Sequence, residues 1–184
     1  MILVNSVYRD TSGYFLTCLV STSDFPGAVA IPRPMRYSSN KISAVGRLLG
    51  YGGLVPFISL AAFSFFVSPA HRPAVIFSLL AYAVTIVSFL GAIHWGLTMM
   101  ENKPSKPQLV WGVVPSLIGW ISLMVQVELG LLLVAAVLFL CLIIDWKIYP
   151  NFELDHWVRL RLILSIVAII STVLPALFSL GVVS

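Results

Sequence analysis

"PAVIFSLLAYAVTIVSFLGAIHWGLTMM" (residues 73–100) contains no Asp, Glu, Lys or Arg. A helix needs about 20 predominantly apolar residues to cross a hydrocarbon core of roughly 30 Å. This stretch exceeds that length, so it decides the solvent of the chain. Further charge-free gaps lie at 48–70, 107–127, 129–144 and 162–184. All but 129–144, which has sixteen residues, reach spanning length. Lipid offers no hydrogen-bond partners, so every backbone N–H and C=O must be satisfied internally, and runs this apolar form helices. The alternation of a membrane barrel strand is absent. The expectation is an all-α polytopic membrane protein: a five-helix transmembrane bundle over residues 48–184.

Composition points the same way. Of 184 residues, 59% are hydrophobic and only 10% charged, and the mean hydropathy is +1.01. A soluble domain carries about a quarter of its residues as charges. The net charge of +4 comes without a Lys/Arg block or a basic–aromatic stripe, which argues against nucleic acid as a partner. Cys18 and Cys141 lie far apart and suggest neither a disulfide framework nor a zinc site. No cofactor or metal is implied.

The loop charges give the chain a direction. Arg36, Lys41 and Arg47 precede the first gap, Lys103 and Lys106 follow the second, and Lys147, Arg159 and Arg161 follow the fourth. On the other side only Arg72 is found. By the positive-inside rule the N-terminus faces the cytoplasm (or the mitochondrial matrix) and the C-terminus the far side. The expected residence is the bacterial inner membrane, with the mitochondrial inner membrane as the alternative.

Residues 1–34 fit this plan poorly. Their short apolar patch has no basic lead and is interrupted by Asp10 and Asp24, a weak match to a signal or transit peptide. They read as a disordered tail or as the product of a start placed too early. "MRYSSNKIS", from Met35, opens a basic cytoplasmic lead over 35–47.

Direction converts position into depth at about 1.5 Å per residue. "GYGGLVP" (50–56), His94 and Trp95, the "WGVVPS" run (111–116), Asp145 and Trp146, and Trp157, Arg159 and Arg161 all fall in the inner half. "GLVP" (53–56) recurs as "GVVP" (112–115), and "IHW" (93–95) as "IDW" (144–146). These short matches raise a parallel repeat of hairpins 1–2 and 3–4, a known transporter device.

"GYGGLVPF", "SFLGAIHWG", "WGVVPSLIGW" and "WVRLRLILS" also occur here in an order and spacing that resemble a family of small inner-membrane proteins of proteobacteria and mitochondria, domain of unknown function 3429. The resemblance covers roughly residues 46–170, with His94–Gly96 its most specific part. It implies a location and an architecture. It supplies no catalytic residue or cofactor.

Among the unusual residues, His94 stands out. Ionisable side chains within a span usually face the bundle interior and often mark function. An imidazole titrates near neutral pH and relays protons; equally, it hydrogen-bonds a neighbouring helix and ties the bundle. The second reading is preferred, because His94 sits at a shallow depth where a polar group is less costly. Asp145 needs a partner more urgently. Glu128 and Asp145 bracket sixteen residues, ~24 Å of helix, so one carboxylate is drawn toward hydrocarbon and must be paired. Arg159 and Arg161 enter at the same level on different helix faces, so one is expected to pair Asp145 and the other to meet lipid phosphate. Trp95 and Ser116 complete the candidate cluster, Trp95 read first as an interfacial anchor. Pro56 and Pro115 are expected to kink their helices. No GxSxG, HExxH or phosphate loop is present, so catalysis has no positive support. The function expected is a non-catalytic scaffold or assembly partner among membrane lipids and other inner-membrane proteins. The alternative is a small proton-coupled carrier using His94, Asp145 and the arginines.

Overall fold

The computed structural model describes residues 8–9, 15–16, 42–99, 106–149 and 155–181, in two units, 1–38 and 39–184. In the first, Tyr8–Arg9 (β1) pairs antiparallel with Phe15–Leu16 (β2). The rest of the 1–34 segment lies outside the described residues. In the second, the described residues form six helices and their turns. These are α1 (Ala44–Gly52), α2 (Leu54–Phe66), α3 (Arg72–Met99), α4 (Lys106–Ser122), α5 (Val127–Ile148) and α6 (Asp155–Ser179).

Helix α1 starts where the Ser43 hydroxyl accepts the Gly46 N–H at 3.0 Å, a side-chain N-cap that serves an otherwise orphan donor. The chain breaks at Gly53 and restarts as α2, which puts Pro56 in a first turn. A proline lacks the N–H and crowds the carbonyl four residues back, so a first turn is where it costs least. The interruption expected at Pro56 therefore falls upstream of it. The Tyr82 hydroxyl of α3 donates to the Gly53 carbonyl at 2.8 Å and satisfies the break. Pro115, by contrast, lies buried inside α4.

The number of spans differs from the expected five. Four segments are long and apolar enough to cross a membrane: 44–66, 72–99, 127–148 and 157–179. Helix α4 has 17 residues, ~26 Å at 1.5 Å each, less than the roughly 30 Å of a hydrocarbon core. The reason is that a charge-free gap is not a helix length. The 107–127 gap is cut by the turn after Ser122, whereas the short gap at 129–144 extends in α5 to 22 residues that include both Glu128 and Asp145.

The helices nevertheless form five rods, with α1–α2 as one. His94, near the C-terminal end of α3, meets Asp145, near the C-terminal end of α5. At the opposite end, Gly130 of α5 faces Leu80 of α3. So α3 and α5 run parallel, and α4 must traverse the bundle between them. Helix α3 packs against α2, α4, α5 and α6. Its Leu79, Leu80, Ala83 and Val87 form a core with Phe57 of α2, Leu131 and Leu138 of α5 and Ala168 of α6. The outward residues are apolar too, among them Phe66, Phe89 and Phe139. A helix apolar on every side belongs in lipid.

Arg47, Lys106, Lys147, Arg159 and Arg161 belong to the helix ends gathered around His94. Arg72 sits at the other end, its Nε donating to the Ser64 carbonyl and its guanidinium over the Phe178 ring.

Helices α3 and α4 cross at two glycines. A Cβ on Gly91 would collide with the Gly112 carbonyl, and one on Gly112 with the Trp95 ring. Small residues permit such backbone approach, which drives helix association in lipid. Gly91→Ala meets a carbonyl that cannot yield without moving a helix, and overpacking of this kind costs about 1–3 kcal/mol. The thermal unfolding midpoint in detergent is expected to fall for Gly91→Ala. It should hold or rise for Gly96→Ala, whose Cβ meets open space in the same helix.

Candidate functional site

Three helices place three ionisable groups together at the basic end of the bundle. His94 (α3) and Asp145 (α5) are 1% and 2% exposed. His94 Nε2 lies 2.9 Å from Asp145 Oδ1, and Arg161 Nε (α6) donates to Asp145 Oδ2 at 2.6 Å. An ionised carboxylate only accepts, so the proton of this contact sits on His94 Nε2. Both carboxylate oxygens are thus engaged by different helices. Asp145 and Arg161 form an ion pair across α5 and α6.

Local structure explains the convergence. His94 shares a helix face with Val87, Gly91 and Thr98, all buried, at the spacing that lines one side of a helix. The Thr98 hydroxyl donates to the His94 carbonyl at 2.8 Å. Asp145 continues the α5 face of Leu131, Val134, Leu138, Cys141 and Leu142. Tyr149, just beyond the end of the α5 span, closes the site from the loop side. Burial, with the Asp145 charge, pushes its hydroxyl up to about 12, and the adjacent Arg161 guanidinium opposes that rise.

The remaining sequence candidates lie elsewhere. Trp95 points the other way from His94, and its Nε1 donates to the Leu109 carbonyl of α4 at 2.9 Å. That bond ties α3 to α4 beside the glycine crossing. Ser116 gives its hydroxyl to the Val113 carbonyl of its own helix at 2.7 Å. Arg159 is exposed on another side of α6. At the far end of α5, Glu128 accepts from the Ser179 hydroxyl at 2.9 Å.

Several polar atoms of this end are buried without a hydrogen-bond partner: His94 Nδ1, Gln108 Nε2, Trp111 Nε1, Arg161 Nη2 and Ser165 Oγ. Sequence reading passed over Gln108 and Ser165. The usable signal for Ser165 was its spacing: four residues after Arg161, it shares that side of α6. Among the described residues no cluster of three His, Cys, Asp or Glu could hold a metal ion. The arrangement can bind three helices together and can exchange a proton only through groups that are almost wholly enclosed.

Removing the central carboxylate leaves the largely enclosed Arg161, 13% exposed, without its counter-charge. Breaking a buried pair from one side costs about 3–5 kcal/mol, so Asp145→Ala should lose most of the folded protein in a detergent-unfolding titration. Glu128→Ala, which removes a half-buried carboxylate held by one hydroxyl, should cost clearly less in the same titration.

The chain matches the family model described as "Protein of unknown function (DUF3429)" over residues 43–177. It is 36% identical to Transmembrane protein 69 of Xenopus tropicalis over 131 residues, 68% of this chain and 51% of that protein. Against Transmembrane protein 69 of Mus musculus it is 26% identical over 125 residues, 66% and 51% of the two chains. The chain therefore spans about half the length of these curated relatives. No solved structure matches it.

Proposed function

This chain belongs to the DUF3429 family of membrane proteins, and we propose that it is a non-catalytic scaffold or assembly partner for a larger membrane complex, with His94, Asp145 and Arg161 as its internal clasp. The observation that carries this reading is the enclosure of the cluster. At 1% and 2% exposure, His94 and Asp145 are placed to hold helices and not to meet a substrate. Their contacts with each other and with Arg161 join α3, α5 and α6, which a helix-tying role requires. The outward faces carry exposed Phe, Leu, Ile and Trp side chains suited to lipid or to apolar partner helices.

The proposed orientation puts the His94 end, with its five described basic residues, in the cytoplasm or matrix, and the Arg72 end opposite. Helix α4 then crosses with its rods despite its length, its Lys106 end reaching the interface as lysines do by snorkelling. The bacterial inner membrane is the proposed residence, with the mitochondrial inner membrane as the alternative. The basic lead over 35–47 belongs to the same reading, although α1 already begins within it at Ala44.

One observation favours a second reading, a small proton-coupled carrier. His94 Nδ1 is a buried ring nitrogen without a hydrogen-bond partner, which leaves the imidazole a second position for a transferred proton. The hairpin repeat would fit that reading, as α3 and α5 run parallel with His94 and Asp145 at corresponding ends.

Affinity purification of the native protein in mild detergent separates the two. The scaffold reading expects partners in stoichiometric amount and unchanged partner recovery for His94→Gln, which keeps a hydrogen-bond donor and abolishes titration. Recovery of the chain alone, with His94→Gln eliminating a pH-driven flux in reconstituted vesicles, would instead establish the carrier.

A further inference from the structure

A cleft of about 150 Å³ opens between α1–α2, α3, α5 and α6. Its walls are apolar, including Leu54, Phe57, Leu90, Leu138 and Ala168. Two polar side chains interrupt them, Arg161 and Ser165. A single water needs about 10–15 Å³ measured this way, and apolar cavities stay dry. A chain of methylene groups fills such a space better than a file of waters.

The polar pair says what that chain carries. Ser165 is 2% exposed, and its hydroxyl has no partner. The most deeply enclosed of the other hydroxyls behave differently: Ser64, Thr98, Ser122 and Thr172, all at 0–1% exposure, each donate to a carbonyl one turn back on their own helix. Such local bonds are the ordinary resolution for a helical serine in an apolar setting. Ser165 leaves its donor unused beside a cleft. One turn away, Arg161 commits Nε to Asp145 but keeps Nη2 buried and unpaired. Two neighbouring donors with no acceptor call for an oxygen from outside the chain, since buried polar groups are nearly always satisfied by protein, water or ligand.

Geometry sets the orientation of the occupant. Arg161 lies four residues after Trp157, where the fourth span begins, ~6 Å along the helix. That depth matches the polar edge of a leaflet. From there the cleft follows α6 past Ser165 to Ala168, ~10 Å from Arg161. Its exposed rim residues are Leu49 of α1 and Phe89 of α3, so the mouth opens sideways from the bundle. Gly50 and Gly53, at the α1–α2 break, form part of the wall.

We propose that this cleft is a lipid site, taking one acyl chain of a glycerophospholipid from the leaflet at the Arg161 end, with its ester oxygens accepting from Arg161 Nη2 and Ser165 Oγ. The second chain stays outside the mouth among the bulk lipids. The site is independent of whether the protein scaffolds or transports, and it requires only that the bundle lies in a membrane.

The test uses the full chain in phosphatidylcholine vesicles containing a phosphatidylcholine with a photoactivatable diazirine in its acyl chain. After irradiation, adducts are mapped by peptide mass spectrometry. Expected are adducts on the enclosed residues Leu138 and Ala168 in addition to exposed Phe66 and Phe139, which serve as the reference. Ala168→Leu, which fills the cleft, should lower the Leu138 adduct at least fivefold relative to that reference. Adducts confined to the exposed residues in the native chain would overturn the proposal, and this readout needs no variant to fold. An unchanged Leu138 adduct in Ala168→Leu would overturn it as well. A diazirine fatty acid that labels Leu138 where the phospholipid does not would replace the phospholipid with a free carboxylate amphiphile.

Discussion

A carboxylate that is 2% exposed on an apolar helix has to be paired, and the rest of this bundle is arranged around that requirement at Asp145. Burying an ion costs several kcal/mol even after relaxation, and attraction offsets this only when geometry is close and the remaining lone pairs are used. Here one oxygen is bonded to His94 and the other to Arg161, at 2.9 and 2.6 Å. Those two donors come from α3 and α6, on either side of α5 in the chain. A contact that links α3, α5 and α6 at once also fixes their relative depth, because a shift by one residue would separate every pair. The mutual register of α3, α5 and α6 at this end is therefore tied to a single charge.

The neighbouring features become intelligible on the same basis. Helix α3 gives His94 to α5 and, one turn earlier, Gly91 to α4. Helix α4 docks through two glycines and the Trp95 indole, with almost no side-chain bulk between the backbones. At the other end the ties are looser: Arg72 to the Ser64 carbonyl, and Ser179 to Glu128. The donors left unused near Arg161 are a further consequence. A guanidinium has five N–H groups in a rigid fork; Asp145 takes the Nε–H and the Tyr149 side chain bonds the guanidinium as well, yet Nη2 stays buried without a partner in a residue that lines the cleft beside Ser165.

The apolar helices were legible in the sequence because lipid imposes one rule on every residue of a span. Their lengths were not, because charges mark where solvent is required and turns mark where helices stop. The loop after Ser122 carries no charge until Glu128, so nothing in the charge pattern reports that α4 ends there. Asp145 illustrates the opposite case. Its need for a cation followed from simple arithmetic on α5, and Arg161 and Arg159 were the available donors. That Arg161 turns inward while Arg159 turns out depends on the rotation of α6, which packing against α2 and α5 decides. Ser165 had only its spacing from Arg161 to mark it: a serine in an apolar helix normally bonds its own backbone, and only the three-dimensional structure shows that this one does not. The fold was thus readable from rules that act locally, and the site only where an energetic necessity reached beyond one helix.

The central claim is that the three groups act as one unit, and coupling energy measures that directly. A double-mutant cycle on His94→Ala and Asp145→Ala, read by reversible unfolding in detergent, isolates the pair from the separate effects of each truncation. A coupling of about 1 kcal/mol or more is expected, within the 0.5–3 kcal/mol found for residues sharing a network. A second cycle on Asp145 and Arg161 should be larger, as both partners are charged. Additive effects in both cycles, with coupling below about 0.3 kcal/mol, would contradict the clasp and leave the bundle to be explained by apolar packing alone.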